Sequence, residues 1–203
     1  MPQLLTARWI MIGALSLTVA GCAAISTVAP LSVPLAYKPS TDNKAFLAGF
    51  SCPYVSRIQV IDKRPDPVLG VRVLESKPLQ ADVTASNDPA AWAQGGIETY
   101  LRQNQIKNGP TGPALVLEMQ SLRTSEDIYH RSGYEAKIKV EASLQSPSGK
   151  SCWHAAMDGN GRNYGYAGST ENYQEMLNQA LDDVSAQIVN SADFNTALCH
   201  CAD

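Results

Sequence analysis

The chain has 203 residues, with 16 Lys and Arg against 19 Asp and Glu and a formal charge of −3 at pH 7. Its basic residues are scattered, which excludes an electrostatic footprint for nucleic acid or for anionic lipid headgroups. The length that remains after an N-terminal leader suits one domain of ordinary size.

The leader comes first in chain order. Met1 and Arg8 give a cationic start, and the apolar run Ile10 to Ala20 follows. A secretory signal peptide needs those two parts and a small-residue cleavage site. The run is short for a transmembrane helix, which takes about 20 apolar residues. Gly13, Ser16 and Thr18 weaken it further. It closes on Val19-Ala20-Gly21-Cys22. That order resembles the lipobox of bacterial lipoproteins. The resemblance implies cleavage between Gly21 and Cys22, a diacylglycerol on the Cys22 thiol, and acylation of the new amino group. Small side chains let a peptidase reach the backbone, and the thiol is the strong nucleophile that accepts lipid. Two or more acyl chains anchor a protein stably, so the mature protein needs no transmembrane helix. Ala23 stands where an aspartate commonly retains lipoproteins at the inner membrane. It therefore implies the outer membrane.

Residues 1–21 are thus read as signal peptide, 22–50 as lipidated N terminus and tether, 51–195 as the domain, and 196–203 as a tail with cysteines. Pro30, Pro34 and Pro39 forbid a helix in the tether, although Leu31 to Tyr37 is apolar enough to lie extended on the domain. The alternation of Ile58 and Val60 with polar neighbours predicts a strand over Ser56–Arg64, stopped by Pro65 and Pro67. Leu69–Leu74 reads as a strand or extended arm, and residues 75–87 as a connection with extended character near Val83. A helix follows, capped by Asp88 with Pro89 at its first position. Trp92, Ala93, Ile97, Tyr100 and Leu101 form its buried face. Gly95 and Gly96 each cost it about 1 kcal/mol, which close packing on the sheet would explain. Gly109-Pro110 is the expected end.

Three strands come next: Ala114–Arg123, Tyr134–Leu144 and Ser151–Met157. The second alternates cleanly, with Tyr134, Ala136, Ile138, Val140, Ala142 and Leu144 on one face and charged residues on the other. One buried and one wet face is typical of an antiparallel sheet. Asp158–Ser169, rich in glycine and without periodicity, reads as a loop, or as a loop that begins on a frayed strand end. A last helix begins at Ser169 or Thr170. Tyr173, Met176, Leu177, Ala180, Leu181, Val184 and Ile188 form its apolar stripe, with Asn178, Asp182 and Asp183 away from it. It stops near Asn190. The economical fold is α+β, a mixed sheet of four to five strands with two helices on one face. The first strand and the strand at Ala114 become parallel neighbours through a right-handed crossover, and the last three strands form a meander.

Setting Cys22 aside leaves Cys52, Cys152, Cys199 and Cys201. An even number in an oxidising compartment suggests two disulfides, with three possible connectivities. A Cys199–Cys201 bond would close a very small ring. Cys52 and Cys152 are therefore each expected to pair with a tail cysteine. The alternatives are free thiols, or Cys52 and Cys152 pairing alone.

The chain resembles the YajG-type family of small bacterial lipoproteins. The features that carry this are Cys22, the strand Ile58–Arg64 with Leu69-Gly70 close behind, and the order helix, three-strand meander, Gly-rich loop, helix. The extra cysteines and the Cys199-His200-Cys201 tail depart from that pattern. The resemblance implies no enzymatic activity and offers no catalytic residues. The wider shape also resembles auxiliary lipoproteins of envelope lipid-transport systems, as a fold analogy.

Other chemistry is thin. Cys152 and His154 share a strand face, but a nucleophilic pair needs an orienting group and an oxyanion site. Cys199-His200-Cys201 lacks the usual zinc spacing, and Cys52, Cys152, His130 or His154 would complete a site only by tertiary accident. Asp62, Arg64 and Asp66 read as an acid/base cluster or, more simply, as a solvated strand end. Tyr164, Tyr166 and Tyr173 form a contact patch for glycan or protein, or cover the helix start. The expectation is a non-enzymatic lipoprotein without metal or cofactor on the periplasmic side of the outer membrane. It binds an envelope protein or glycan. The alternative is an accessory subunit of a lipid or lipopolysaccharide transport system.

Overall fold

The computed structural model describes residues 30–39, 52, 54–74, 79–110, 112–127 and 133–201. Gly21, Cys22, His130 and the whole leader lie outside them. Strand β7 (Ala114–Asp127) is the axis of the sheet. Its first half pairs in parallel with β3 (Arg57–Asp62), Arg57 opposite Ala114 and Asp62 opposite Met119. Its second half pairs in parallel with β4 (Val68–Leu74), Gly70 opposite Thr124. On the other side β7, β8 (Gly133–Gln145) and β9 (Ser151–Asn163) form the antiparallel meander. Beyond β4 lie β5 (Leu79–Ala85), antiparallel to it, and β1 (Leu31–Val33), parallel to β5. Among the described residues these strands make one 7-stranded mixed sheet. A separate parallel pair joins β2 (Tyr54–Val55) to β6 (Lys107–Asn108).

Alternation along β8 decides where the core lies. Tyr134, Ala136, Ile138, Val140, Ala142 and Leu144 are all buried. The opposite face is wet and carries pairs of both signs: Glu135 with Arg162 at 2.7 Å, Lys139 with Asp158 at 3.5 Å, His154 with Glu141 at 3.2 Å. Such exposed pairs contribute about 0–1 kcal/mol each. Helices α1 (Pro89–Gln103) and α2 (Thr170–Asn190) cover the apolar face. The fold class is α+β, with a wider sheet than the sequence pattern indicates.

Helix α2 does more than bury a stripe. Its Tyr173, Met176, Leu177, Ala180, Leu181, Val184 and Ile188 are buried in the core. On one flank of that stripe stand Gln179, Asp183 and Gln187, four residues apart. They meet the outer edge of β9. The Asn160 N–H donates to Asp183 and the Arg162 N–H to Gln179, both at 3.0 Å, while Gln187 donates to the Asp158 carbonyl at 2.9 Å. Four helical residues rise about 6.0 Å and two strand residues about 6.7 Å, so helix and edge stay in step. An edge strand exposes unpaired backbone groups that invite wrong pairing, and this row of side chains satisfies three of them. On the other flank Gln174, Asn178 and Asp182 hold the N-terminal segment. Gln174 donates to the Pro34 carbonyl at 2.7 Å, Asn178 to the Ala36 carbonyl at 3.1 Å, and the Tyr37 hydroxyl donates to Asp182 at 2.5 Å.

Several expectations are corrected by these contacts. Asn178 and Asp182 do not sit away from the core but are 5% and 4% exposed, because Trp92 Nε1, Ala36 and Tyr37 supply partners. The stretch read as a loop from Asp158 is strand as far as Asn163. Its glycines are what lets α2 approach: a Cβ at Gly159 would lie 2.1 Å from the Ala180 carbonyl oxygen, and one at Gly161 1.8 Å from that of Met176. Residues 79–85 of the expected connection form β5. Helix α1 ends at Gln103, before Gly109. Gln105 takes the left-handed φ of 66°, the Ile106 N–H reaches the Leu101 carbonyl at 2.9 Å, and buried Ile106 seals the turn. Gly96 packs on Leu181 and Tyr37, not on the sheet, and Gly95 meets nothing within 4 Å. Finally, residues read as the end of the domain and its tail form a third helix, α3 (Ala192–His200). Ser191 ends α2 and caps α3, accepting from the Phe194 N–H at 3.2 Å. Phe194 and Leu198 supply a buried stripe too brief to read by periodicity, with Phe194 edge-on to Trp153 at 5.1 Å.

Candidate functional site

The two ends of the sheet are built differently, and each presents an exposed tyrosine feature. At the end where β7 starts, the tail is stapled across the body. Disulfides join Cys52 to Cys199 and Cys152 to Cys201, with Cα separations of 5.1 and 5.6 Å. Neither Cys152 nor the tail cysteines therefore keeps a thiol for nucleophilic or metal chemistry. His154 lies on the wet sheet face with Glu141, and His200 Nδ1 is 2.8 Å from the Thr196 carbonyl oxygen. No group of metal-ligating side chains gathers among the described residues. Beside the staples opens a cleft of ≈ 190 Å³, lined by Tyr54, Pro113, Leu198, Cys52, Cys199 and Cys201. Tyr54 is 48% exposed there.

At the opposite end the loop between β9 and α2 is held by a buried acid. Glu126 on β7 is 4% exposed. It meets Arg72 Nε at 2.8 Å, the Tyr173 hydroxyl at 2.9 Å and the Gly168 N–H at 2.7 Å. Burial, then the charge of Glu126, pushes the Tyr173 hydroxyl pKa up, so it remains a neutral donor. The Tyr134 hydroxyl, also pushed up by burial, donates to the Tyr166 carbonyl and accepts from the Ser169 N–H. Gly168 has φ +70°, and the Arg72 guanidinium occupies the place of any Cβ, so this loop position admits glycine alone. Buried charge partnered by several hydrogen bonds rigidifies what it touches. Here it fixes a loop in which Tyr164 is 69% and Tyr166 91% exposed.

The three tyrosines singled out in the sequence thus separate. Tyr173 is 0% exposed and packs edge-on to Tyr134 at 5.0 Å, whereas the Tyr164 and Tyr166 side chains are exposed and Tyr166 meets the helix start through its carbonyl, which accepts from the Ser169 N–H and from Asn172. The Asp62, Arg64 and Asp66 cluster forms an ion-paired turn after β3. Arg64 forks onto Asp62 with contacts of 2.8 to 3.1 Å, Asp66 accepts the Val68 N–H at 2.9 Å, and Arg123 ties Asp66 to β7. The hydrogen bonds from Arg64 hold the Asp62 carboxyl below its usual range. Sequence reasoning missed Glu126 and Arg72. The only signal was a charged residue in register with the buried Tyr134.

Fold and sites define a disulfide-stapled, two-layer α+β domain whose N-terminal segment joins the sheet edge as β1 and is then held by α2. No helix of the described residues is long and apolar enough to cross a membrane. The chain belongs to a family of uncharacterized lipoproteins, whose model matches residues 54–199. Solved structures of similar shape include a Xanthomonas campestris protein of family DUF330. It has 10% identity and a TM-score of 0.49, over 85% of this chain and 94% of that one. Others are a candidate lipoprotein of Caulobacter crescentus (12%, TM-score 0.44, 70% and 90%) and a minor lipoprotein of Acinetobacter baumannii (14%, 0.39, 70% and 92%). No protein of curated description matches the chain.

Proposed function

We propose that this protein is a non-enzymatic lipoprotein, anchored through lipid on Cys22 to the periplasmic face of the outer membrane, that binds another envelope component. Membership of a lipoprotein family supports the anchor, as does the order Val19-Ala20-Gly21-Cys22. On this reading residues 1–21 are removed. Within the lipoproteins, the Asp62–Arg64 turn and the Leu69-Gly70 that follows it support a YajG-type relationship.

The observation that carries the binding role is the stapled cleft with its half-exposed Tyr54. It lies at the end of the sheet away from the point where the chain enters. Two disulfides hold its walls, so a partner meets a preorganised surface and little ordering entropy is lost on binding. A protein or glycan suits its size. The alternative role, an accessory subunit handling an apolar lipid, asks for room between sheet and helices. That space is filled by Leu115, Leu117, Met119, Ile97, Leu181 and Val184, all at most 1% exposed, so this alternative is the weaker.

Photo-crosslinking tests the proposal. A Tyr54→benzoylphenylalanine chain is expressed in its native cell, irradiated, and its adducts are identified by mass. A discrete protein or glycan adduct, absent when the photo-residue replaces exposed Lys137, is the expected result. Adducts with bulk phospholipid alone overturn the partner role.

A further inference from the structure

We infer that the end of the sheet bearing Tyr164 and Tyr166 rests on the bilayer that holds the Cys22 lipid, with both side chains in the lipid–water interface. This rests on the lipid-anchor reading above. Its first support is topological. Leu31, Val83, Gly70, Thr124, Ala136 and Gly161 form one row in register across the sheet. Strand β1 runs antiparallel to β9, so the chain enters at Pro30 on the side where β9 runs out at Asn163.

The second support is length. Residues 31–39 belong to the folded body, pinned by β1, Asn87 and α2. From Pro30 back to Cys22 is eight Cα steps, a reach of at most about 26–29 Å. The anchor therefore draws this end of the domain toward the membrane surface, while the stapled cleft at the other end of the sheet faces away.

The third support is the loop itself. A tyrosine 91% exposed and another 69% exposed stand on a loop that three buried groups, Glu126, Tyr134 and Tyr173, and the partly buried Arg72 hold in one conformation. Their exposure is imposed by the fold. Tyrosine has an apolar ring with a polar tip, which suits it to the headgroup level of a bilayer. The scattered basic residues offer no charge-driven route to anionic lipid, so the contact is one that zwitterionic lipid supports.

The full lipidated chain is reconstituted in vesicles of phosphatidylethanolamine and phosphatidylcholine, with and without phospholipid brominated near the head of its acyl chains. Three variants are compared: Tyr164→Trp, Tyr166→Trp and, at the far end, Tyr54→Trp. Bromolipid is expected to lower the added emission of the first two about twofold, as befits an indole at the membrane interface, and to leave the third unchanged. Flotation without quenching in either loop variant overturns this inference and spares the anchor. Failure to float overturns the anchor and this inference with it. Loop indoles that respond only when soluble periplasmic protein is added assign the patch to a protein and also overturn the inference.

Discussion

Replacing Gly161 by alanine would place a Cβ 1.8 Å from the Met176 carbonyl oxygen and 2.8 Å from the Ala180 nitrogen. Both are backbone atoms of α2, so no side-chain rotation relieves the clash. Ordinary contact begins near 3.4 Å, and the helix must therefore retreat by about 1.6 Å or the strand must bend by as much. Either movement pulls apart the bonds from Asn160 and Arg162 to Asp183 and Gln179, and that from Gln187 to Asp158, now 2.9 to 3.0 Å long. The bond to the Asp183 carboxylate is worth about 1.5–3 kcal/mol and each neutral one about 0.5–1.5. Alanine returns about 0.4–1 kcal/mol by restricting the unfolded chain. The net expectation is a loss of about 2–5 kcal/mol. Gly95→Ala is the control, because nothing lies within 4 Å of its Cβ position and its helix should gain about 1 kcal/mol. Urea unfolding of the mature chain carrying Cys22→Ser, disulfides intact, measures both. If Gly161→Ala changes stability by less than about 0.5 kcal/mol, the ordinary range for an unconstrained surface site, the close approach of α2 is not what the glycine serves.

Removing the shorter-loop staple with Cys152→Ala and Cys201→Ala frees a sequence separation of 49 residues. Chain entropy then sets a loss of up to about 4 kcal/mol, against about 5 for the separation of 147 closed by Cys52 and Cys199. Guanidinium midpoints that match the parent would show that the staples add no stability. Alkali should unfold the protein through Tyr37 and Tyr173. Burial above all, then Asp182 or Glu126 beside them, raises both hydroxyls above the ordinary value of 10.0. Below about pH 10 both states keep these protons and the stabilisation is complete. Above it the unfolded chain ionises first, so stability falls by about 1.4 kcal/mol per pH unit for each tyrosine. Denaturation followed upward from about pH 9 should be flat at first and take on that slope above about pH 10, where an unperturbed tyrosine ionises. Tyr173→Phe should remove about half of it and leave the share of Tyr37, and an unchanged slope would refute the assignment.

Much of the chain was legible because its pattern is local. The alternation along β8 and the stripe of α2 each repeat often enough for one period to prevail. Asp88-Pro89 and Ser169 act through the next few residues, and the structure finds them at the caps. The parallel pairing of β3 with β7 followed from chirality rules and element order. What failed was non-local. The run Asp158–Asn163 looks like loop because glycine ordinarily weakens a strand. It is a strand because α2 needs the vacancy a glycine leaves. Asn178 and Asp182 look like surface residues until Ala36, Tyr37 and Trp92 arrive from other parts of the chain. Glu126 lies beyond the end that the alternation predicts for its strand at Arg123. Only the meeting of Arg72, Tyr134, Tyr173 and Gly168 makes it the clamp of the tyrosine loop.

By itself the sequence determined the α+β class, the meander and the long amphipathic helix, because each rests on side-chain period and near-neighbour sterics. The sequence also allowed Leu31 to Tyr37 to lie extended on the domain, but tertiary structure alone decided which groups hold that segment and that the two ends of the sheet differ. Those outcomes depend on groups far apart in the chain, Tyr37 and Asp182 across 145 residues and Cys52 and Cys199 across 147. No local free energy records such a meeting until the chain has folded.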